Sequence, residues 1–344
     1  MRLSLAIEAG LEIPDGPLVV RHPTVETDLS AVPDAVIDTP DWIVAQAMTT
    51  QGRQLEEEPA VYAATVIILP RSKELARDLI AHAAATTNGP VIVDGQKTDG
   101  VDSLWRACRE RTEVAGSVTK AHGRCFWMRA DANAFADWAW EQPDIHGFAL
   151  APGVFSADGI DPGSYALAEV LPETLKGRVV DLGAGWGYLS AVAQARGAEF
   201  VDCVEVNAMA LECAALNVDA DRAAFHWHDA TTWKPSVQPD HVVMNPPFHT
   251  GQSGASGRKG APELGAAFIA NAARMLGGSG NLWIVANRHL PYEDVLNTYF
   301  ASVTELPGPP GTEGYKLYHA TRPQTRGTSP AKAGRTVTRH RARR

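Results

Sequence analysis

Asn245, Pro246, Pro247 and Phe248 stand directly after the apolar run His241-Val-Val-Met244. Residues of these types in a row can grip one kind of group. Proline fixes φ and lacks an N–H donor, so the local carbonyls stay available as acceptors. An amide side chain, an open carbonyl and an aromatic face within one turn suit a planar group that carries an NH2. A strand would deliver this turn to the carboxyl edge of a sheet, where open α/β folds bind their ligands. Upstream, Val179-Val-Asp181-Leu182-Gly183-Ala184-Gly185-Trp186-Gly187-Tyr188 passes from an apolar strand through a glycine turn into a helix start. Glycine lets the backbone turn sharply and come close to a ligand, with helix amides nearby. A dinucleotide fingerprint needs Gly at the sixth position counted from Gly183, and Tyr188 stands there, so a nicotinamide cofactor is disfavoured.

The surrounding pattern alternates strands and helices from about residue 15 to 320, which predicts α/β layers. In the first half, residues 17–21, 35–38, 60–69 and 90–94 read as buried strands. Amphipathic stretches 41–53, 72–86 and 99–112 read as helices between them, with Asp41 and Ser72 as N-caps. In the second half, strands are expected at 177–181, 200–205, 241–244, 281–286 and 315–320, and helices at 188–196 and 208–217. Breakers around residues 143–152 mark a boundary, giving units 1–148 and 149–322 and a tail 323–344. Ala64-Thr-Val-Ile-Ile-Leu69-Pro70 imitates the strand-then-proline turn at Asn245 without its Asn or aromatic residue, and no glycine turn follows an early strand. If the halves are copies of one design, the first has lost its cofactor site.

Acidic-x-Gly-x-Gly-x-Gly resembles the first motif of class I S-adenosylmethionine-dependent methyltransferases. That resemblance implies S-adenosylmethionine as cofactor, with Gly183, Gly185 and Gly187 around it and Asp181 helping to hold its amino-acid end. Glu205, which ends residues 200–205, falls where the resemblance puts a carboxylate that accepts both ribose hydroxyl hydrogens. Asp229, after His226-Trp-His, falls where family members contact the adenine. A lone acid after a strand is otherwise a cap or a solvated charge.

Asn-Pro-Pro-Phe is similar to the amino-methyltransferase motif, and its chemistry accounts for the residues. An exocyclic amine on a conjugated ring is a poor nucleophile because its lone pair is delocalised. The Asn245 side-chain oxygen and the Pro246 carbonyl can each accept one amine hydrogen, which aims the lone pair at the methyl group and offsets the growing positive charge. Phe248 can stack on the base and orient it.

The segments Pro152-Gly153-Val154-Phe155-Ser156, Asp158-Gly159 and Gly163-Ser164 resemble the bacterial small-subunit ribosomal RNA guanine-N2 methyltransferase family. So do Asn245-Pro-Pro-Phe-His249-x-Gly251 and Val285-Ala286-Asn287 with Leu290-Pro291-Tyr292. Asp94-Gly95-Gln96-Lys97-Thr98-Asp99-Gly100 resembles its Gly-x-Lys-x-x-Gly stretch, so the likeness covers most of residues 60–320. It implies two tandem Rossmann-like class I methyltransferase-type domains, the N-terminal one degenerate and serving folding and RNA binding. The implied reaction is methyl transfer to N2 of a guanine in ribosomal RNA. Phe155, Phe248 and His249 would meet the substrate, and Arg258 and Lys259, in the Gly/Ser-rich segment 250–260, would lie over the site and meet phosphate. Departures from the family pattern are Trp186, that segment and the basic tail.

The chain has 344 residues, about two domains' worth, with 45% apolar and 21% charged residues. It contains no apolar run of membrane-spanning length. Cys108, Cys125, Cys203 and Cys213 lack metal-ligand spacing, so no metal is expected and a reducing cytoplasm is. The net charge of −9 hides an asymmetry: eight basic residues and no acids lie between Thr321 and Arg344, while 23 basic face 40 acidic residues elsewhere. Such a tail is expected to be disordered and to meet phosphate non-specifically. The expected partner is ribosomal RNA or the small subunit, and the expected state a monomer. Two other readings stay open: a methyltransferase for adenine or for a protein glutamine amide, and an RNA-binding protein with a vestigial fold.

Overall fold

The computed structural model describes residues 2–58, 60–143, 145, 147–247, 261–324 and 338–339. The described residues up to Gln142 form one compact unit, and those from Pro143 onward form a second.

The first unit contains α1 (Arg2–Glu8), β1 (Leu18–Arg21), β2 (Val36–Asp38), α2 (Trp42–Thr50), β3 (Ala64–Ile68), α3 (Lys73–Thr86), β4 (Pro90–Gln96), α4 (Val101–Arg109), β5 (Val114–Lys120), β6 (Gly123–Arg129) and α5 (Ala132–Phe135). Its sheet runs β2-β1-β3-β4-β6-β5. The first four strands are parallel, and β6 is antiparallel to β4 and β5. Apolar runs such as Val19-Val20 and Val91-Ile92-Val93 are fully buried because helices cover both faces of a parallel sheet. The expected N-caps are in place: Asp41 accepts from the amides of Ile43 and Val44, and Ser72 from that of Leu75. The β5–β6 hairpin has no counterpart in the sequence reading. Its turn puts Ala121 and His122 at positive φ, where a two-residue hairpin ordinarily carries Asn-Gly or Gly, so no local signal announces it.

The second unit contains α6 (Pro162–Val170), β7 (Arg178–Leu182), α7 (Tyr188–Ala195), β8 (Phe200–Glu205), α8 (Ala208–Asn217), β9 (Ala223–Trp227), β10 (His241–Met244), α9 (Ala261–Met275), β11 (Asn281–Asn287), α10 (Glu293–Tyr299), β12 (Phe300–Leu306), β13 (Tyr315–Pro323) and a two-residue β14 (Thr338–Arg339). The sheet runs β14-β12-β13-β11-β10-β7-β8-β9. From β7 the chain winds one way to β8 and β9, then returns to β10 on the other side. The carboxyl ends of β7 and β10 therefore flank the point where strand order reverses, the place where such sheets bind ligands.

Alternate residues of the central strands feed two cores, one on each face. Val180, Leu182, Val242, Met244, Leu282 and Ile284 pack toward α9 and α10. Val179, Val243, Trp283 and Val285 pack toward α6 and α7. The period of two leaves the strands apolar on both sides, and each fully buried Val or Leu contributes roughly 1.5–3 kcal/mol. The order and directions of β8-β7-β10-β11-β13-β12 match those of β2-β1-β3-β4-β6-β5. Two α/β units of one winding thus stand in tandem, as expected.

Candidate active site

Beyond β7 the backbone passes through Gly183, Gly185 and Gly187 at φ +77°, +55° and +90°, all left-handed. The three glycines answer different needs. A Cβ on Gly187 would stand 3.0 Å from the Ala214 Cβ, so this residue lets α7 lie close to α8. One on Gly183 would stand 3.2 Å from the Phe268 ring. One on Gly185 would meet no atom within 4 Å, because this residue faces an open cleft. The Gly185 amide donates to Glu205 Oε2 at 2.9 Å, and the Asn207 amide to Oε1 at 3.0 Å. Backbone donors thereby hold the Glu205 carboxylate at the tip of β8, beside the glycine turn.

Asp181 is completely buried beneath that turn, not on the cleft wall. Its Oδ2 accepts from the Ser190 hydroxyl at 2.7 Å, and its Oδ1 has no hydrogen-bond partner among the described residues. Burial pushes its pKa up to about 7 against the pull of the Ser190 bond. Asp202, on the next strand, shows the opposite outcome. Burial raises its pKa, but bonds from His226 at 2.9 Å and a bidentate Arg178 at 2.6 and 2.8 Å outweigh it, so the net shift is downward. The Arg178 guanidinium and the His226 ring together keep one acid charged, while the other is left to a neutral hydroxyl. Asp229 lies past β9, where its Oδ1 accepts from the amide and hydroxyl of Thr231 at 2.9 and 2.8 Å.

Asn245 sits at the end of β10 on the cleft wall, with Pro246 buried behind it. Its Nδ2 donates to Asp161 Oδ2 at 2.8 Å and to Ser164 Oγ at 2.7 Å. Its Oδ1 is buried and finds no donor among the described residues. Leaving a buried acceptor unmade costs about 1–3 kcal/mol, and such groups call for an explanation.

The remaining wall is the segment before α6. Phe155 is 46% exposed at the cleft, and Ser156, at φ +55°, turns the chain sharply while its hydroxyl donates to the Gly159 carbonyl at 2.7 Å. Trp186 explains its own departure from the family pattern. Its indole N–H donates to the Phe155 carbonyl at 3.1 Å, and its ring packs 5.0 Å from Phe148 and 5.7 Å from Tyr188. Asn217 adds Nδ2 bonds to the carbonyls of Ala149 and Trp186 at 2.8 and 2.7 Å. The glycine turn and the entry segment are therefore stitched into one wall of the cleft.

Of the residues singled out in the sequence, Phe155, Gly183, Gly185 and Asn245 share this cleft. Glu205 holds the glycine turn, Gly187 packs beneath it, Asp181 is buried with Ser190, and Asp229 is bonded by Thr231 past β9. Phe248, His249, Arg258 and Lys259 lie outside the described residues. Asp161 went unremarked in the sequence. Asp161-Pro162 before an apolar stretch is a helix-start signature, so the cap was legible although the bond to Asn245 was not. Among the described residues no cluster of His, Cys, Asp and Glu could hold a metal, and no helix is long and apolar enough to cross a membrane. All four cysteines are buried thiols, and burial lifts those of Cys108, Cys125 and Cys203 to about 12.

Residues 146–319 match the methyltransferase small domain family, which spans both walls of the cleft. The chain is 30% identical over 278 residues to ribosomal RNA small subunit methyltransferase C of Shewanella sp. strain W3-18-1, covering 76% of this chain and 77% of that protein. With the protein of the same name from Shewanella oneidensis the identity is 31% over 284 residues, or 78% and 79% of the two chains. The chain belongs to the ribosomal RNA small subunit methyltransferase C family. This family member is accordingly an S-adenosylmethionine-dependent methyltransferase. Its fold is also that of a solved T. thermophilus 16S rRNA N2 G1207 methyltransferase bound to AdoMet and guanosine, at TM-score 0.70 and 23% identity over 92% of this chain and 90% of that one.

Proposed function

We propose that this enzyme methylates the exocyclic N2 amine of a guanine in small-subunit ribosomal RNA, working on RNA in the cytoplasm. The observation that carries the reading is the Asn245 amide oxygen, a buried acceptor without a donor, on the wall of a cleft that begins at a glycine turn. An amine N–H is the partner it lacks.

The cleft suits S-adenosylmethionine by its own features. Gly185 leaves space where any side chain would intrude, and the Glu205 carboxylate is oriented by two backbone amides. Gly183, Gly185 and Glu205 would hold the cofactor, the carboxylate taking the ribose hydroxyls, with Asp229 toward the adenine. When bound, the cofactor supplies a methyl group already activated by a sulfonium. Asn245 Oδ1 and the Pro246 carbonyl accept the amine hydrogens, keep the nitrogen lone pair directed at the methyl group, and offset the charge that develops on nitrogen. Phe155 at the mouth offers a face for a base drawn out of its stack, and Phe248 would supply a second. No general base is needed before transfer, because the amine loses its proton after it has become cationic. His249, Arg258 and Lys259 would meet the RNA around the flipped base.

The test is transfer of tritiated methyl groups to undermethylated small subunits, followed by nucleoside analysis. Label in N2-methylguanosine supports the reading. Label in adenine or in protein refutes the acceptor, and absence of cofactor binding at about 100 μM by calorimetry refutes the reaction.

A further inference from the structure

We infer that Asp161 and Ser164 are positioning residues for the methyl acceptor. They lock the Asn245 amide with its oxygen toward the cleft, so that the site receives an NH2 and turns away a carbonyl. The inference rests on the amine-methylation reading above.

An asparagine amide can present either its oxygen or its NH2, and nothing in Asn-Pro-Pro decides which. Here the choice is made from another part of the chain. Asn245 Nδ2 donates to Asp161 Oδ2 at 2.8 Å and to Ser164 Oγ at 2.7 Å, across 84 and 81 residues of sequence. A carboxylate oxygen accepts and does not donate, so rotating the amide by half a turn would set two acceptors against each other. With both amide hydrogens engaged, Oδ1 is the acceptor left over; it is buried at the cleft wall and has no donor among the described residues. Asp161 is itself fixed. The same Oδ2 accepts the Ser164 amide at 2.8 Å as the N-cap of α6, and Pro162 sets the first helical φ.

The arrangement has two chemical consequences. An acceptor facing the substrate bonds an exocyclic amine but repels a ring carbonyl, which leaves its own lone pairs unpaired against Oδ1. Donation from the amide to a carboxylate also polarises the amide, so its oxygen carries more negative charge where the amine becomes positive. The segment leading into α6 is thus part of the acceptor specificity.

The test uses the full chain with undermethylated small subunits. Asp161→Ser retains a capping hydroxyl but is too short to reach Asn245. It should leave the melting temperature and calorimetric S-adenosylmethionine affinity near wild type and lower kcat about 10- to 100-fold. Asp161→Asn keeps an acceptor in place and should recover the rate to within roughly threefold of wild type. Asn245→Asp sets two carboxylates against each other, so the pair shares a proton and transfer should be lost as pH rises through the raised pKa of that pair. Combining Asn245→Asp with Asp161→Asn restores one donor and one acceptor and should flatten the pH profile. Wild-type kcat in Asp161→Ser overturns the inference, as does a pH profile of Asn245→Asp that the second substitution leaves unchanged. If Asp161→Ser does not fold, the exchanged pair decides by itself. Wild-type label on adenine or a protein amide would overturn the guanine assignment while the same variants still decide the clamp. A wild type that binds cofactor but methylates no amine overturns both.

Discussion

The two sheets share order and strand direction, but their strands end in different residues. In the second unit β7 runs into three left-handed glycines, β8 ends at Glu205, and β10 is followed by Asn245 and Pro246. In the first unit β1 ends at Arg21, β2 at Asp38, and β3 is followed by Leu69 and Pro70. Arg21, whose side chain is 4% exposed, pairs with Asp38 and, at 3.4 Å, with Glu56, and its guanidinium lies 5.8 Å from the Tyr62 ring centre. An acid at the tip of the second strand is thus held by a buried cation in one unit and by two backbone amides, one of them from the glycine turn, in the other. Leu69 is buried, and a Cβ on Gly95 would meet its Cβ at 2.7 Å, so the place corresponding to Asn245 is filled with apolar contact. This winding is held by the apolar interiors of its strands, while the site resides in a few residues at strand ends. Those ends can be rebuilt as an ion pair and a packed leucine without changing the sheet.

The comparison can be broken from either side. Arg21→Met should cost the first unit about 3 kcal/mol, the low end for breaking a buried pair because the Asp38 side chain is 33% exposed. A lowered urea midpoint with unchanged S-adenosylmethionine affinity is the expected pair of results, and weakened affinity would show that the two units' strand ends are not independent in function. Asn245→Ala should keep cofactor binding and slow methyl transfer by at least about 100-fold in single-turnover assays, the scale of losing a polar contact in the transition state. Unchanged turnover would remove Asn245 from the mechanism. Glu205→Ala should weaken calorimetric cofactor affinity by roughly 10- to 30-fold, since one or two charge-assisted bonds are lost. The same substitution at Asp38 should not touch that affinity.

The smallest effect concerns pH. Burial raises the Asp181 pKa to about 7, above its unfolded value of 3.8, so folding favours the neutral form. Its contribution is fully present below pH about 4 and is lost as pH rises toward about 7. Asp181→Asn should therefore gain melting temperature relative to wild type across that window and hold the gain above it. A constant difference from pH 4 to 8 would mean that Asp181 is charged in the folded protein.

Much of this was legible in the sequence because it is local. Glycines at 183, 185 and 187 and the proline pair after residue 245 carry their geometry in their own backbones, and apolar runs announce buried parallel strands. Asp41 and Ser72 cap the helices expected of them for the same reason. The hairpin of β5 and β6 escaped because Ala121 and His122 are not residues that ordinarily form its turn, and β5 alternates small and polar side chains on an exposed edge. Trp186 read as a departure because its partners, Phe148 and the Phe155 carbonyl, lie on a separate segment.

By itself the sequence determined the glycine turn, the Asn-Pro-Pro turn after residue 244 and the alternation of buried strands with helices, since each follows from residues adjacent along the chain. Only the tertiary structure decided that Asp161 and Ser164 hold the NH2 end of the Asn245 amide, that Asp181 lies beneath the turn with Ser190, and that the Glu205 carboxylate is pinned by Gly185. These depend on groups 84, 9 and 20 positions apart meeting within 3 Å, a matter of how elements pack and not of the residues next to them.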